Sequence, residues 1–162
     1  MAEQQPTFEI HRVYIKDASF ESPLSPAIFK ADTKFAVDVS VDSKSIKLDG
    51  DFYEVALTVT STAKNEGDDD VAYIAEVKQA GIFTVAGFSD EDRKQVLNSA
   101  CANILFPYVR EAISDLVNRG GFPQLYLAPI NFDSLFQQQQ EQGAAQAAGE
   151  TEASDSGEQT SQ

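Results

Sequence analysis

Residues 51–63, which read DFYEVALTVTSTA, alternate apolar and polar side chains and decide the fold. Successive side chains of a β-strand point to opposite faces of a sheet, so this period of two indicates a half-buried strand. The two faces hold Tyr53, Val55, Leu57 and Val59 on one side and Glu54, Thr58 and Thr60 on the other.

Three further strands are predicted on either side of this one. Residues 8–21 mix β-branched, aromatic and polar side chains, and residues 35–42 alternate strictly. Residues 71–85 return as a fourth strand after an acidic turn, with Gly81 expected to interrupt it. Because the third and fourth strands are joined as a hairpin, we expect an antiparallel sheet.

Helices are predicted in the second half of the chain. Ser89 is placed to cap a helix that begins at Asp90. A second helical segment is expected over residues 103–119, beginning near 103–106 so that Pro107 falls in its first turn. A short helix is expected near residues 132–136. Strands followed by helices predict an α+β fold, a four-stranded antiparallel sheet with helices on one face.

Composition divides the chain into a folded part and a tail. Residues 1–142 hold all the large apolar side chains and are expected to form one domain. Residues 143–162 are acidic and rich in Gln, Ala and Ser, with no aromatic residue and no aliphatic residue larger than Ala. Such a segment cannot bury a core, so we expect a disordered tail.

Charge and hydropathy exclude several kinds of partner. The 26 acidic residues outnumber the 12 basic ones and give a net charge of -14, which disfavours nucleic acid. The first residues carry no signal or lipidation pattern, and no stretch approaches the roughly 18 apolar residues of a membrane helix. We therefore expect a cytoplasmic protein that does not insert into a membrane.

Nothing in the sequence favours an enzyme, a metal site or a cofactor. His11 is the single histidine and Cys101 the single cysteine, and no motif pairs either with a catalytic partner. Asp68, Asp69 and Asp70 are consecutive, whereas calcium loops space their acidic ligands alternately.

Two binding surfaces are predicted instead. Asp17 and Glu21 share a face of the first strand, and Glu76 shares a face of the fourth with Ile74. Such a patch could dock a basic protein, or its carboxylates could simply face solvent. A surplus of apolar side chains could line a groove for apolar peptides, or belong to the core or a subunit interface: Phe35, Val37, Val39, Val41, Tyr108, Phe132, Leu135 and Phe136.

Four longer motifs resemble the SecB export chaperones, in the same order and with similar spacing from about Phe8 to Phe136. They are KDASFESP at 16–23, EV at 76–77 with GIF at 81–83, NILFPY at 103–108 followed by Arg110-Glu111, and GFPQL at 121–125 with LAPINFD at 127–133.

The resemblance implies a homotetramer, a dimer of dimers, that binds unfolded precursor proteins and delivers them to the SecA motor without chemistry of its own. It implies that Asp17, Glu21, Ile74 and Glu76 bind the C-terminal zinc-binding module of SecA, with the zinc held by SecA. The apolar set named above, together with Leu48 near the second strand, would bind clients. Two alternatives are a SecB-like chaperone of a toxin-antitoxin system, which could dispense with the acidic residues, and a carrier of a small apolar ligand.

Overall fold

The computed structural model of the protein describes residues 4–30 and 32–154. Four strands come first and the helices follow, so the predicted α+β class is confirmed. The elements are β1 (Thr7–Glu21), β2 (Phe35–Lys47), β3 (Phe52–Asn65), β4 (Val71–Ala86), α1 (Asp90–Gln95), α2 (Cys101–Arg119) and α3 (Phe132–Ser154).

The strands form one antiparallel sheet in the order β1-β4-β3-β2. Hairpins join β2 to β3 and β3 to β4, and the connection after β1 crosses to the far edge, a Greek-key arrangement. This connection includes a helical turn at Ala27–Lys30. Consequently β1 and β2 are the two edges of the sheet.

Alternation along β3 separates the sheet into two faces, as the sequence predicted. The inner face is the one that carries Val55, Leu57 and Val59, all fully buried. The opposite, outer face carries the side chains between them, such as Thr58 and Thr60, which are half-buried. A β-bulge or irregularity in the pairing near His11 and another near Lys16 shift the register of β1, so its face assignment follows pairing with β4 rather than residue number.

Helix α2 covers the inner face by packing against β3 and β4. Leu105, Val109, Ile113 and Val117 repeat at helical spacing and are fully buried. Each large aliphatic side chain removed from water contributes about 1.5–3 kcal/mol, so this contact supplies the core of the domain.

The two predicted helical segments form one continuous helix, which corrects the prediction for Pro107. Ser89 caps the start as predicted, since its Oγ accepts a hydrogen bond from the Asp92 amide at 3.1 Å. A π-helical turn at Val96–Ala100 joins α1 to α2, so Pro107 lies well inside the helix. Pro107 and the preceding turn at Asn103 are exposed, so water can hydrate the carbonyl that lacks an amide partner.

The expected interruption of β4 at Gly81 is also wrong. Gly81 pairs with Val13 on one side and Val55 on the other, within an unbroken strand. A Cβ at this position would meet Cε2 of Phe83 at 2.7 Å. The absent side chain makes room for the Phe83 ring, and the glycine is explained by packing.

Helix α3 is much longer than the short helix expected. It continues to Ser154 through residues 143–154, where we expected disorder, while residues 155–162 lie outside the described residues. Ala, Gln and Glu favour the helix locally, although residues 137–148 are exposed and bury nothing. The division into a domain at 1–142 and a tail stays a prediction. Across the described chain, no helix is long and apolar enough to cross a membrane.

Candidate functional site

The four residues of the predicted acidic patch lie together on the outer face, at one end of β1 and β4. Glu21 pairs with Ile74, and Glu76 pairs with Ser19, between Glu21 and Asp17 on β1. Asp17 and Glu21 are exposed, while Ile74 and Glu76 are half-buried. The structure therefore places three carboxylates along two paired strands, with Ile74 at one end beside Glu21 and Glu76, on a face that none of the described helices covers.

Two neighbours shape the surroundings of Glu76. Thr60 pairs with Glu76 across β3 and β4, and its Oγ1 donates a hydrogen bond to Glu76 Oε2 at 2.7 Å. Lys78 follows on the same face of β4 and pairs with Asp17. The patch thus contains one hydrogen-bonded carboxylate and two exposed ones, with Lys78 at its border.

A second polar cluster on the outer face was not anticipated from the sequence. Glu54 accepts hydrogen bonds from Lys16 Nζ, at 2.8 Å, and from the Tyr14 hydroxyl, both reaching across β4. The bond from Lys16, followed by that from Tyr14, lowers the pKa of Glu54. Burial, with the carboxylate beside it, raises the pKa of Tyr14 to about 12. The negative charge of Glu54 is thereby balanced by Lys16, so Glu54 adds little charge to the acidic patch.

The predicted client residues divide into separate groups. Phe35, Val37, Val39 and Val41 share the inner side of edge strand β2, where Val39 is 44% exposed and the others are half-buried. Val41 meets the last helix at a crevice of about 20 Å³ that is also lined by Phe132, Leu135 and Phe136. Leu48 is exposed at the end of β2.

Two members of that set do not fit a shared groove beside β2. Phe132 is 3% exposed and contacts the Phe106 ring edge-on at 5.7 Å, so it is a core residue. Tyr108 lies at the opposite edge of the sheet, in a groove of about 890 Å³ between β1 and α2. Other side chains that line this groove are Val13, Ile15, Ala112 and Tyr126.

An aromatic cluster that sequence reasoning missed lies beneath the crossover after β1. The ring of Phe122 is its centre, with the other rings 4.9–6.3 Å away. Phe29 closes the cluster on the outside and remains 50% exposed. The members are Phe20, Phe29, Phe35, Tyr73 and Phe122. Phe35 was a predicted client residue, and Phe20 and Phe122 stand in the quoted motifs, but no local pattern groups the five rings, because the fold alone brings such distant positions together.

Cys101 and His11, whose side chains could in principle take part in catalysis, are held in structural contacts. Burial raises the pKa of the Cys101 thiol to about 12, which leaves it protonated and a poor nucleophile. His11 shares a hydrogen bond of 2.6 Å with Thr84 and lies beside the Phe52 ring. Within the described ranges, no three His, Cys, Asp or Glu side chains are grouped as metal ligands would be.

The chain is similar to known proteins over most of its length. A family model, "SecB: Preprotein translocase subunit SecB", matches residues 1–143. The chain is 53% identical over 152 residues to a protein-export protein SecB of Alcanivorax borkumensis, covering 92% of this chain and 97% of the relative. It is 49% identical over 148 residues to a protein-export protein SecB of Pseudomonas aeruginosa, covering 91% and 89%.

One solved structure shares the fold at low sequence identity. It is a SecB-like chaperone of Mycobacterium tuberculosis in complex with a ChAD peptide from an antitoxin. The TM-score is 0.64 at 16% identity, over 76% of this chain and 90% of the other.

Proposed function

This chain belongs to the SecB family, and from that membership we propose which surface binds unfolded precursors and which binds SecA. The protein is a chaperone of protein export. We propose that apolar side chains along the β2 edge and in the aromatic cluster bind unfolded precursors, and that the acidic patch on the outer face docks SecA. The exposure of large apolar side chains at Phe29, Val39 and Leu48 carries the client part of the proposal.

The client surface would combine the β2 edge with the aromatic cluster. Val39 and Leu48 are exposed along that edge, and Phe35 joins the edge to the cluster through its contact with Phe122 at 5.7 Å. Val37, Val41, Leu135 and Phe136 remain in the proposed surface as half-buried members, whereas Phe132 does not because it is core. Many weak apolar contacts along one client give firm binding with local release.

The acidic patch would receive the C-terminal zinc-binding module of SecA. Asp17, Glu21 and Glu76 offer carboxylates to a basic surface, and Ile74 offers an apolar contact beside Glu21 and Glu76. Complementary charge accelerates encounter and fixes orientation, while the apolar residue at one end of the patch gains from exclusion of water. The module brings its own zinc, and this chain would act without a cofactor or catalysis.

Assembly as a homotetramer, a dimer of dimers, is supported by the unpaired β1 edge. Phe8, Ile10 and Ile15 are 36%, 48% and 53% exposed along it, and a long apolar edge left open would promote aggregation. We assign Tyr108, which borders the groove beside this edge, to a subunit interface rather than to the client surface. The cytoplasm is the compartment where such a protein would meet precursors before export.

Size-exclusion chromatography with light scattering tests these proposals together. The protein is run alone and with one export precursor, offered either freshly diluted from denaturant or fully folded. A tetramer that co-elutes only with the unfolded precursor supports the proposal. A monomer contradicts the assembly, and a tetramer that ignores unfolded protein but retains a small apolar compound contradicts the client surface and supports a carrier.

A role confined to a toxin-antitoxin system is less well supported than export. The structural neighbour that binds an antitoxin peptide is 16% identical to this chain, whereas the relatives named for protein export are about half identical. The acidic patch that an export chaperone would need for SecA is present on the outer face.

A further inference from the structure

The hydrogen bond between Thr60 and Glu76 joins two strands in the interior of the sheet. Glu76 lies on β4 between Ser19 of β1 and Thr60 of β3, and Thr60 lies between Glu76 and Ser40 of β2. Both backbones are therefore held by strands on each side. The Thr60 Oγ1 to Glu76 Oε2 distance of 2.7 Å is that of a charge-assisted hydrogen bond.

Thr60 is well suited to hold a carboxylate in one position. Its β-branched side chain restricts rotation about the first side-chain bond, so the hydroxyl points consistently across the strand gap. Glu76 would otherwise sample many rotamers, because its side chain is long and only half-buried. Within residues 4–30 and 32–148, the Glu76 carboxylate has no other side-chain hydrogen-bond or ion-pair partner.

We propose that Thr60 is a positioning residue that presets the Glu76 carboxylate for a basic partner. The inference rests on the proposed docking of the SecA module at the acidic patch. By ordering Glu76 before binding, Thr60 removes part of the entropic cost that the complex would otherwise carry. A carboxylate can accept about four hydrogen bonds, so the one from Thr60 leaves the others open to a lysine or arginine.

The bond also directs Glu76 away from Lys78, the cation next to it on β4. The two share the outer face, yet no ion pair joins them in the described part of the chain. A carboxylate bonded to Thr60 on β3 is not neutralised by its neighbour along β4. Its charge therefore stays available to the partner, which a freely rotating Glu76 would not ensure.

The test is a double-mutant cycle on Thr60 and Glu76, read by calorimetric titration with the zinc-loaded C-terminal module of SecA. We expect Thr60→Val to weaken binding about fivefold, since valine keeps the shape and loses the donor. Glu76→Gln should weaken it about tenfold or more. The double variant should bind no more weakly than Glu76→Gln alone, because the threonine acts only through the carboxylate.

Two further variants separate positioning from a general effect on the sheet. Thr60→Ser keeps the hydroxyl and should bind within about twofold of the unaltered protein. Thr62→Val is the matched control, because Thr62 lies two residues away on the same face and pairs with Ile74. Thermal unfolding and binding of an unfolded precursor should be nearly unchanged for all of them.

The outcomes distinguish this inference from the docking proposal beneath it. If Glu76→Gln weakens binding but Thr60→Val does not, the positioning role is wrong and the docking site stands. Equal losses for Thr60→Val and Thr62→Val would also overturn it, since they would reflect strand packing. If Glu76→Gln has no effect, both the docking site and the role of Thr60 fall.

Discussion

Val59 and Thr60 are neighbours in the chain and lie on opposite faces of the same sheet. Val59 is fully buried beneath the helices, while Thr60 is half-buried and hydrogen-bonded to Glu76 on the helix-free face. One strand can therefore stabilise the fold with every second residue and present a polar surface with the others. Substitutions one position apart on β3 should therefore have different kinds of effect.

The largest expected effect is on the inner face. Leu57→Ala removes a fully buried side chain and should lower the free energy of unfolding by about 2–5 kcal/mol, because it leaves a cavity under α2. Thr58→Ala, on the outer face, should change it by under about 0.5 kcal/mol. Denaturant unfolding at a fixed protein concentration measures both, and equal losses would contradict the division into faces.

A charge reversal on the outer face should affect recognition and leave stability intact. Glu76→Lys is expected to weaken binding of the SecA module by more than about tenfold, since it places a repulsive charge against a basic partner. Binding of unfolded precursor should be unchanged. Calorimetric titration of both ligands checks this, with Glu9→Lys, at the far end of the outer face, as the control. Unaltered affinity for the module would remove Glu76 from the site.

Exposed apolar residues at the edge should affect clients rather than folding. Val39→Thr keeps the branched shape and adds a hydroxyl to a side chain that is 44% exposed. Combined with Leu48→Ser, it should weaken binding of an unfolded precursor about threefold while the tetramer persists. Fluorescence titration and light scattering measure the two quantities. A variant that unfolds or dissociates would show that these residues are structural.

The smallest effect concerns the polar cluster around Glu54. The hydrogen bond from Lys16 is the main cause of its lowered pKa, so the folded state holds the carboxylate ionised more strongly than the unfolded chain does. This stabilisation is complete above the ordinary glutamate pKa and is lost as pH falls through the lowered one. In Glu54→Gln, the free energy of unfolding that is lost on acidification should be smaller by about 0.5 kcal/mol. Thermal unfolding between pH 6 and 3 tests it, and identical profiles would refute it.

Several elements followed from local pattern, and others depended on distant packing. Ser89 was identified as a cap because capping depends on residues close in the chain. The predictions for Pro107 and Gly81 were wrong. Pro107 is tolerated inside a long helix because that side of the helix is exposed to solvent, and Gly81 lies within an unbroken strand because it makes room for the Phe83 ring. The length of α3 was underestimated because only its apolar residues, which end at Phe136, were used to predict the helix.

Local pattern was enough to predict the α+β class and the two faces of β3. It also placed Asp17 with Glu21, and Ile74 with Glu76, on one face of their own strands, because side chains alternate along a strand whatever its partners. Only the tertiary structure decided which strands pair. It therefore also decided that Thr60 reaches Glu76, that Phe132 is core, and that Tyr108 and Val39 lie at opposite edges. The physical reason is that side-chain direction is a local property of the backbone, whereas strand order and ring contacts depend on residues far apart in the chain.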